Sequence, residues 1–144
     1  MIAKTLSAFN QQVNHAELGK LLLRLSLGGL LLFHGWHKLL AGTAGIQGML
    51  TAQGLPGFIG YGVLIGEVVA PVMIILGILC RPAALVIIGT MIVAWLLVAV
   101  DKTFQLDAVG AWALESIAFY LLMSLVLLLL GGGKYSVIKN PDWR

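Results

Sequence analysis

Four long apolar runs constrain the fold of this chain more than any other feature of its sequence. They cover about residues 18–40, 58–79, 83–100 and 109–130. Each run has roughly the 17–25 residues that an α-helix needs to cross the hydrocarbon core of a bilayer. Only 10% of the residues are charged, whereas soluble domains carry about 25%. The sequence therefore predicts an all-α integral membrane protein with a four-helix transmembrane bundle.

This predicted transmembrane domain covers residues 17–131 and has a short segment on either side. Before it, residues 1–16 carry apolar side chains at helical spacing, which predicts an amphipathic helix lying in the headgroup region. The apolar positions of that helix are Ile2, Leu6, Phe9 and Val13. The uncharged loop 42–57 predicts a second, short interfacial helix. Three consecutive glycines then end the last span, and residues 132–144 form a basic tail.

Lysine and arginine are distributed unequally between the two predicted sides of the membrane. One side carries Lys4, Lys20, Arg81, Lys134, Lys139 and Arg144, and the other carries Lys102 with Lys38 near a helix end. The positive-inside rule then predicts that both termini lie in the cytoplasm. These basic residues are scattered rather than clustered, so the lipid bilayer is the expected environment and nucleic acid is not a partner. Homo-oligomerisation stays open.

The first apolar run is unusual because it carries cations. Arg24, His34 and Lys38 share one face of roughly 120° with two glycines, Gly28 and Gly35. A charge inside an apolar helix is costly, and most costly in lipid, so this face should point into the bundle. His37 and Trp36 lie off that face, near the predicted interface, where an anchoring role is the simpler interpretation.

Two carboxylates could balance these cations within the bilayer. Glu67 lies near the centre of the second run and Glu115 lies in the fourth. Relative depth along the spans predicts a pair of Arg24 with Glu67, and a pair of Lys38 or His34 with Glu115. Such pairs could also be purely structural, fixing the register of the helices. The five residues are therefore candidates either for ligand binding or for intramembrane ion pairs.

Several other chemistries lack the residues that they need. Cys80 is the only cysteine, which excludes a dithiol pair or a thiolate-bound iron–sulfur cluster. The two histidines of the first run are three residues apart on one helix, and no other span has a histidine, so a bis-histidine haem is not expected. No metal site is predicted, and no catalytic residue is identified. Whether the chain is an enzyme stays open.

Several short motifs resemble those of the DoxX family of small four-span bacterial membrane proteins. The first is Arg24 with Gly28, followed by Phe33-His34-Gly35 and Lys38. Glu67 follows in the second run, and the turn reads Arg81-Pro82-Ala83-Ala84. The chain closes with Gly131-Gly132-Gly133-Lys134-Tyr135-Ser136, similar to the family's Gly-Pro-Gly-x-Tyr-Ser but with Gly132 at its proline. The resemblance covers about residues 21–137.

Some members of that family are subunits of thiosulfate:quinone oxidoreductases, and others accompany detoxifying enzymes in membrane oxidoreductase complexes. The resemblance thus implies a subunit in a bacterial inner membrane that binds a quinone-like headgroup near Arg24, His34, Lys38, Glu67 and Glu115. Electrons would come from a soluble or membrane oxidoreductase partner on the cytoplasmic side. Two alternatives stay open. One is a small-solute carrier that could be proton-coupled, and the other is a non-catalytic scaffold for a soluble enzyme.

Overall fold

The computed structural model describes all of residues 1–144 and is built from helices and loops, without a β-strand. Six helices follow one another along the chain. They are α1 (Ile2–Val13), α2 (Ala16–Ala41), α3 (Ala44–Ala52), α4 (Gly57–Leu76), α5 (Cys80–Lys102) and α6 (Glu115–Leu130). The all-α prediction is confirmed, and α3 is the short helix expected between the first two runs.

Two helices are both long enough and apolar enough to cross a membrane. These are α4, with 20 residues, and α5, with 23. Helix α6 is equally apolar in character but has 16 residues. Helix α2 has 26 residues, but its cations and imidazoles lower its mean hydropathy. Length and composition alone thus mark two spans, and α2 needs its polar groups to be accommodated by neighbouring helices.

The core lies where α2 and α6 pack against α4 and α5. Helix α5 packs most extensively on α6, while α2 packs chiefly on α4. The buried cluster includes Leu27, Leu31, Ile74, Ile87 and Leu127. Helix α1 contributes no buried residue.

Small residues allow α4 to approach its two neighbours closely. A Cβ atom on Gly28 would lie 2.7 Å from Ile75 Cγ1 and 2.8 Å from the Pro71 carbonyl oxygen. A Cβ atom on Gly35 would overlap the backbone of Glu67, and one on Gly66 would overlap the side chain of Thr90 in α5. Close approach of this kind is typical of helix packing in membranes. It brings the polar face of α2 directly against the middle of α4.

Three of the predicted spans differ from the helices at their ends. Helix α4 ends at Leu76, because Gly77 adopts a left-handed conformation with φ 78°, and α5 begins at Cys80 with Pro82 in its first turn. Helix α6 begins at Glu115, so residues 109–114 lie in a loop instead of a helix. That loop contains turns and one antiparallel bridge between Leu106 and Trp112.

The C-terminal tail folds back under the helix ends. Gly131 ends α6 with φ 79°, as the glycine run predicted. The amide of Val137 then donates to the carbonyl of Leu76 at 2.9 Å. The amide of Leu79 donates to the carbonyl of Trp143, also at 2.9 Å. The tail is therefore part of the packed structure.

Candidate functional site

Helix α4 is irregular at the position of Glu67. The segment Ile65–Val69 is a π-helical turn, in which the amide of Ala70 donates to the carbonyl of Ile65, five residues back. Pro71 explains the irregularity, because it has no N–H with which to bind the carbonyl of Glu67, four residues earlier. π-Turns of this kind occur often at functional sites.

Lys38 and Glu67 form a partly buried ion pair across the contact between α2 and α4. Lys38 Nζ lies 2.7 Å from Glu67 Oε1 and 2.6 Å from Oε2. The Glu67 side chain is only 5% exposed, and that of Lys38 is 32% exposed. The close contact at Gly35 sets the two helices at this level, one turn before Lys38. An ion pair in this position satisfies the charge that each partner would otherwise bring alone into an apolar interior.

The predicted pairing of Arg24 with Glu67 is therefore wrong. Arg24 lies eleven residues before Gly35 in α2, which is about 16 Å along a helix. Glu67 is level with Gly35, so an arginine side chain at position 24 does not reach it. Lys38 pairs with Glu67 instead, because its side chain extends back along α2 to the level of Gly35 and Glu67.

Arg24 instead binds the end of α4 and the C-terminal tail. It is 1% exposed, and its Nε and one terminal nitrogen donate to the carbonyls of Ile74 and Ile75 at 2.8 and 2.9 Å. The other terminal nitrogen donates to Ser136 Oγ at 3.2 Å and to two tail carbonyls, those of Gly132 and Tyr135. Carbonyls at a helix C-terminus carry partial negative charge. They stabilise this cation without a carboxylate.

Glu115 does not face the cations of α2. It is the first residue of α6, is exposed, and forms no ion pair. The predicted pair of Glu115 with Lys38 or His34 is therefore wrong. The reason is that the helix starts at Glu115, which places this carboxylate at the favourable N-terminal end of the helix dipole and outside the core. His37 and Trp36 are likewise exposed on α2.

Two cavities lie on either side of the Lys38–Glu67 pair. The first, here the apolar cavity, has a volume of about 260 Å³. Its charged lining residues are Lys38 and Glu67, and its other lining is almost entirely aliphatic, from α3, α4 and α5. The second, here the polar cavity, has a volume of about 210 Å³. Its polar lining residues are His34, Lys38, Glu67, Ser116 and Tyr120.

A second π-turn borders both cavities. It covers Trp95–Ala99 in α5. Val98, within this turn, lines the apolar and the polar cavity alike, as does Ala94 immediately before it. The two cavities that the Lys38–Glu67 pair lines are thus bordered by one irregular turn in α4 and another in α5.

Tyr120 and Ser116 are site residues that sequence reasoning missed. Tyr120 packs edge to face against His34, with 5.8 Å between ring centroids and an interplanar angle of 83°. His34 itself is exposed at the rim, at the edge of the buried face of α2. A signal was present in the sequence, because Ser116, Tyr120 and Ser124 are spaced four apart and so share a face of α6. No three His, Cys, Asp or Glu side chains come together as metal ligands.

Among known proteins, the sequence profile of one family matches this chain. The DoxX profile matches residues 19–100, more than half of the 144 residues. The matched segment runs from the start of α2 almost to the end of α5, and it contains Arg24, His34, Lys38 and Glu67. No curated protein and no solved structure matches the chain.

Proposed function

This chain belongs to the DoxX family of membrane proteins, and we propose that it is the membrane subunit of a quinone-linked oxidoreductase complex. Its ligand is a quinone-like headgroup bound at the Lys38–Glu67 pair. The electron donor is an oxidoreductase partner on the cytoplasmic side. The observation that carries the proposal is the partly buried ion pair, whose two residues line both cavities.

The proposed placement in the membrane follows from the charges and the apolar helices. Helices α2, α4, α5 and α6 form a four-helix transmembrane bundle in a bacterial inner membrane, with both termini in the cytoplasm. The 16 residues of α6 correspond to about 24 Å at 1.5 Å per residue, which is enough with modest local thinning of the bilayer. Helix α1 lies on the cytoplasmic surface through its exposed Ile2, Leu6 and Phe9.

The chemistry of the site matches what a quinone headgroup requires. A quinone carbonyl accepts hydrogen bonds, and an ammonium group has three N–H donors. Two of the three from Lys38 point to Glu67, which leaves one for a ligand. The phenol of Tyr120 and the imidazole of His34 line the same cavity and supply further donors. A quinone takes up protons when it is reduced, and these side chains are able to donate protons to it.

Arg24 is outside this proposal. All its nitrogens are bound by backbone carbonyls and Ser136, and it lines neither cavity. Glu115 is also outside the proposal, because it lines neither cavity. The proposed binding residues are therefore Lys38, Glu67, His34 and Tyr120.

Equilibrium binding of a soluble benzoquinone to the full chain in lipid nanodiscs tests the proposal. Lys38→Met and Glu67→Gln should each weaken binding about tenfold or more, since a hydrogen bond to a charged group contributes about 1.5–3 kcal/mol. Lys102→Met makes the same change at an exposed lysine away from both cavities and should have no effect. If both site variants bind quinone as the unaltered chain does, the proposal is wrong.

A proton-coupled carrier for a small solute is the second candidate. It is favoured by the position of one titratable pair between two separate cavities, because a carrier must present its site alternately to two sides. Liposome uptake driven by a pH gradient and abolished by Glu67→Gln would favour this function. Uptake of no solute across a broad panel, combined with quinone binding, would favour the oxidoreductase subunit.

A further inference from the structure

We propose that the two cavities together hold one molecule with two chemically different parts, a polar ring and a hydrocarbon tail. The ring lies in the polar cavity between α2 and α6, and the tail lies in the apolar cavity beneath α3. This inference rests on the proposed function and specifies the class of quinone: one with a long hydrocarbon substituent.

The size of the cavities is the first reason. Ligand sites typically have volumes of about 300–1,000 Å³. The apolar cavity has about 260 Å³ and the polar cavity about 210 Å³, so each alone is below that range and the two together are within it. They are adjacent, since Lys38, Glu67, Ala94 and Val98 line both. A single ligand can therefore extend from one into the other along the ion pair.

The difference between the two linings is the second reason. Beyond the shared ion pair, the polar cavity offers an imidazole, a phenol and a hydroxyl, from His34, Tyr120 and Ser116. Beyond the same pair, the apolar cavity offers one hydroxyl, that of Thr90, which already donates to the carbonyl of Val86 at 2.8 Å. A polar ligand would leave its hydrogen bonds unsatisfied there, whereas a hydrocarbon chain loses none.

Helix α3 provides the cover for the tail. Ile46, Met49 and Leu50 of this helix line the apolar cavity, and Leu50 is fully buried. A hydrocarbon chain in this position is enclosed by α3 on one side and by α4 and α5 on the other. Because lipid tails are as apolar as these side chains, the cavity would hold the tail through close packing contacts and not through removal from water.

Two quinones with the same ring, one without a tail and one with a ten-carbon alkyl tail, test this arrangement. Binding is measured in nanodiscs, with each quinone expressed as a mole fraction of lipid so that partitioning is equal for all variants. Leu97→Trp fills the apolar cavity, which Leu97 lines without lining the polar one. It should weaken the tailed quinone about tenfold, because the indole ring occupies volume that the tail would fill and overpacking is costly, and leave the tailless quinone unchanged.

Three further variants complete the design. Met49→Trp fills the apolar cavity from the partly exposed surface of α3 and should repeat the result if Leu97→Trp fails to fold. Ser116→Leu fills the polar cavity and should weaken both quinones. Ala118→Leu is the matched control, since Ala118 lines a separate groove between α5 and α6, and should weaken neither.

The outcomes separate this inference from the proposed function. If the filling variants of the apolar cavity affect both quinones equally, or affect neither, the tail does not lie there and the inference is wrong. If the unaltered chain binds neither quinone, the proposed function itself is overturned. Selective weakening of the tailed quinone supports the two-part ligand.

Discussion

Arg24→Lys is the substitution that tests most sharply why a cation is buried in α2. The guanidinium has three nitrogens, which bind two structural elements at once. Nε and one terminal nitrogen hold the last turn of α4, and the other terminal nitrogen holds the tail through Gly132, Tyr135 and Ser136. Lysine keeps the charge but has a single nitrogen, so it cannot hold both elements.

The expected loss of stability follows from that geometry. A lysine that kept the contacts to the tail would lose the two hydrogen bonds to Ile74 and Ile75. Hydrogen bonds to charged groups contribute about 1.5–3 kcal/mol each, so the free energy of unfolding should fall by about 3 kcal/mol. At 1.4 kcal/mol for each factor of ten, this is a roughly hundredfold change in the unfolding equilibrium. A lysine that kept the contacts to the end of α4 instead would lose those to the tail and release it.

Reversible unfolding by SDS in mixed micelles measures the first effect, and trypsin cleavage after Lys134 and Lys139 measures the second. Arg81→Lys is the matched control, because the exposed Arg81 donates one hydrogen bond, to the carbonyl of Leu128 at 3.0 Å. It should change both readouts little. Benzoquinone binding to folded Arg24→Lys should be unaltered. Wild-type stability together with a protected tail in Arg24→Lys would refute the structural role of Arg24.

Three further predictions concern α4, the tail and α6. Pro71→Ala supplies an N–H that can bind the carbonyl of Glu67, so the π-turn should become a regular α-helix and benzoquinone binding should weaken. Unchanged binding would show that the π-turn is not needed for the site. The pKa of Glu17 is lowered, first by the backbone N–H of Lys134 and then by the nearby Lys20, so the contact with the tail should persist at neutral pH and be lost as the pH falls through that lowered pKa. The amide resonance of Lys134 should report this titration, and Glu17→Gln should abolish it. Glu115→Gln should leave benzoquinone binding unchanged, since Glu115 is exposed at a helix end. Weaker binding would show that Glu115 is one of the binding residues.

The periodicity and the glycines of the sequence predicted the helices and their contacts well. The four apolar runs, the N-terminal segment and the loop 42–57 predicted six helices in the observed order, and the glycine run at 131–133 ended α6 as expected. Arg24, Gly28 and Gly35 are buried on one face of α2, as the spacing predicted. These features are local, because helical spacing and the absence of a Cβ atom act within one helix or at its surface. The start of α6 was placed too early, since apolar residues such as Val109 and Trp112 occur in the loop before it.

The ion pairs could not be predicted in the same way. Depth along a span can be counted from the sequence, but the rotation of one helix against another and the direction of a long side chain cannot. Lys38 extends back along α2 by the usual tilt of helical side chains toward the N-terminus, and this brings it to Glu67. Arg24 lies near the other end of α4 and binds the carbonyls of Ile74 and Ile75.

Pro71 connects the sequence to the site most directly. Its missing N–H removes the usual intrahelical donor to the carbonyl of Glu67, and the turn Ile65–Val69 contains an extra residue. That extra residue changes the rotation of the preceding half of α4 relative to the following half. Gly35 then allows α2 to contact the irregular turn at the Glu67 carbonyl, and Lys38 pairs with the carboxylate one turn away. A proline, a glycine, a lysine and a glutamate thus have one joint explanation, which none of them provides alone. A search for the ligand should therefore use variants of these four residues, and not of Arg24 or Glu115.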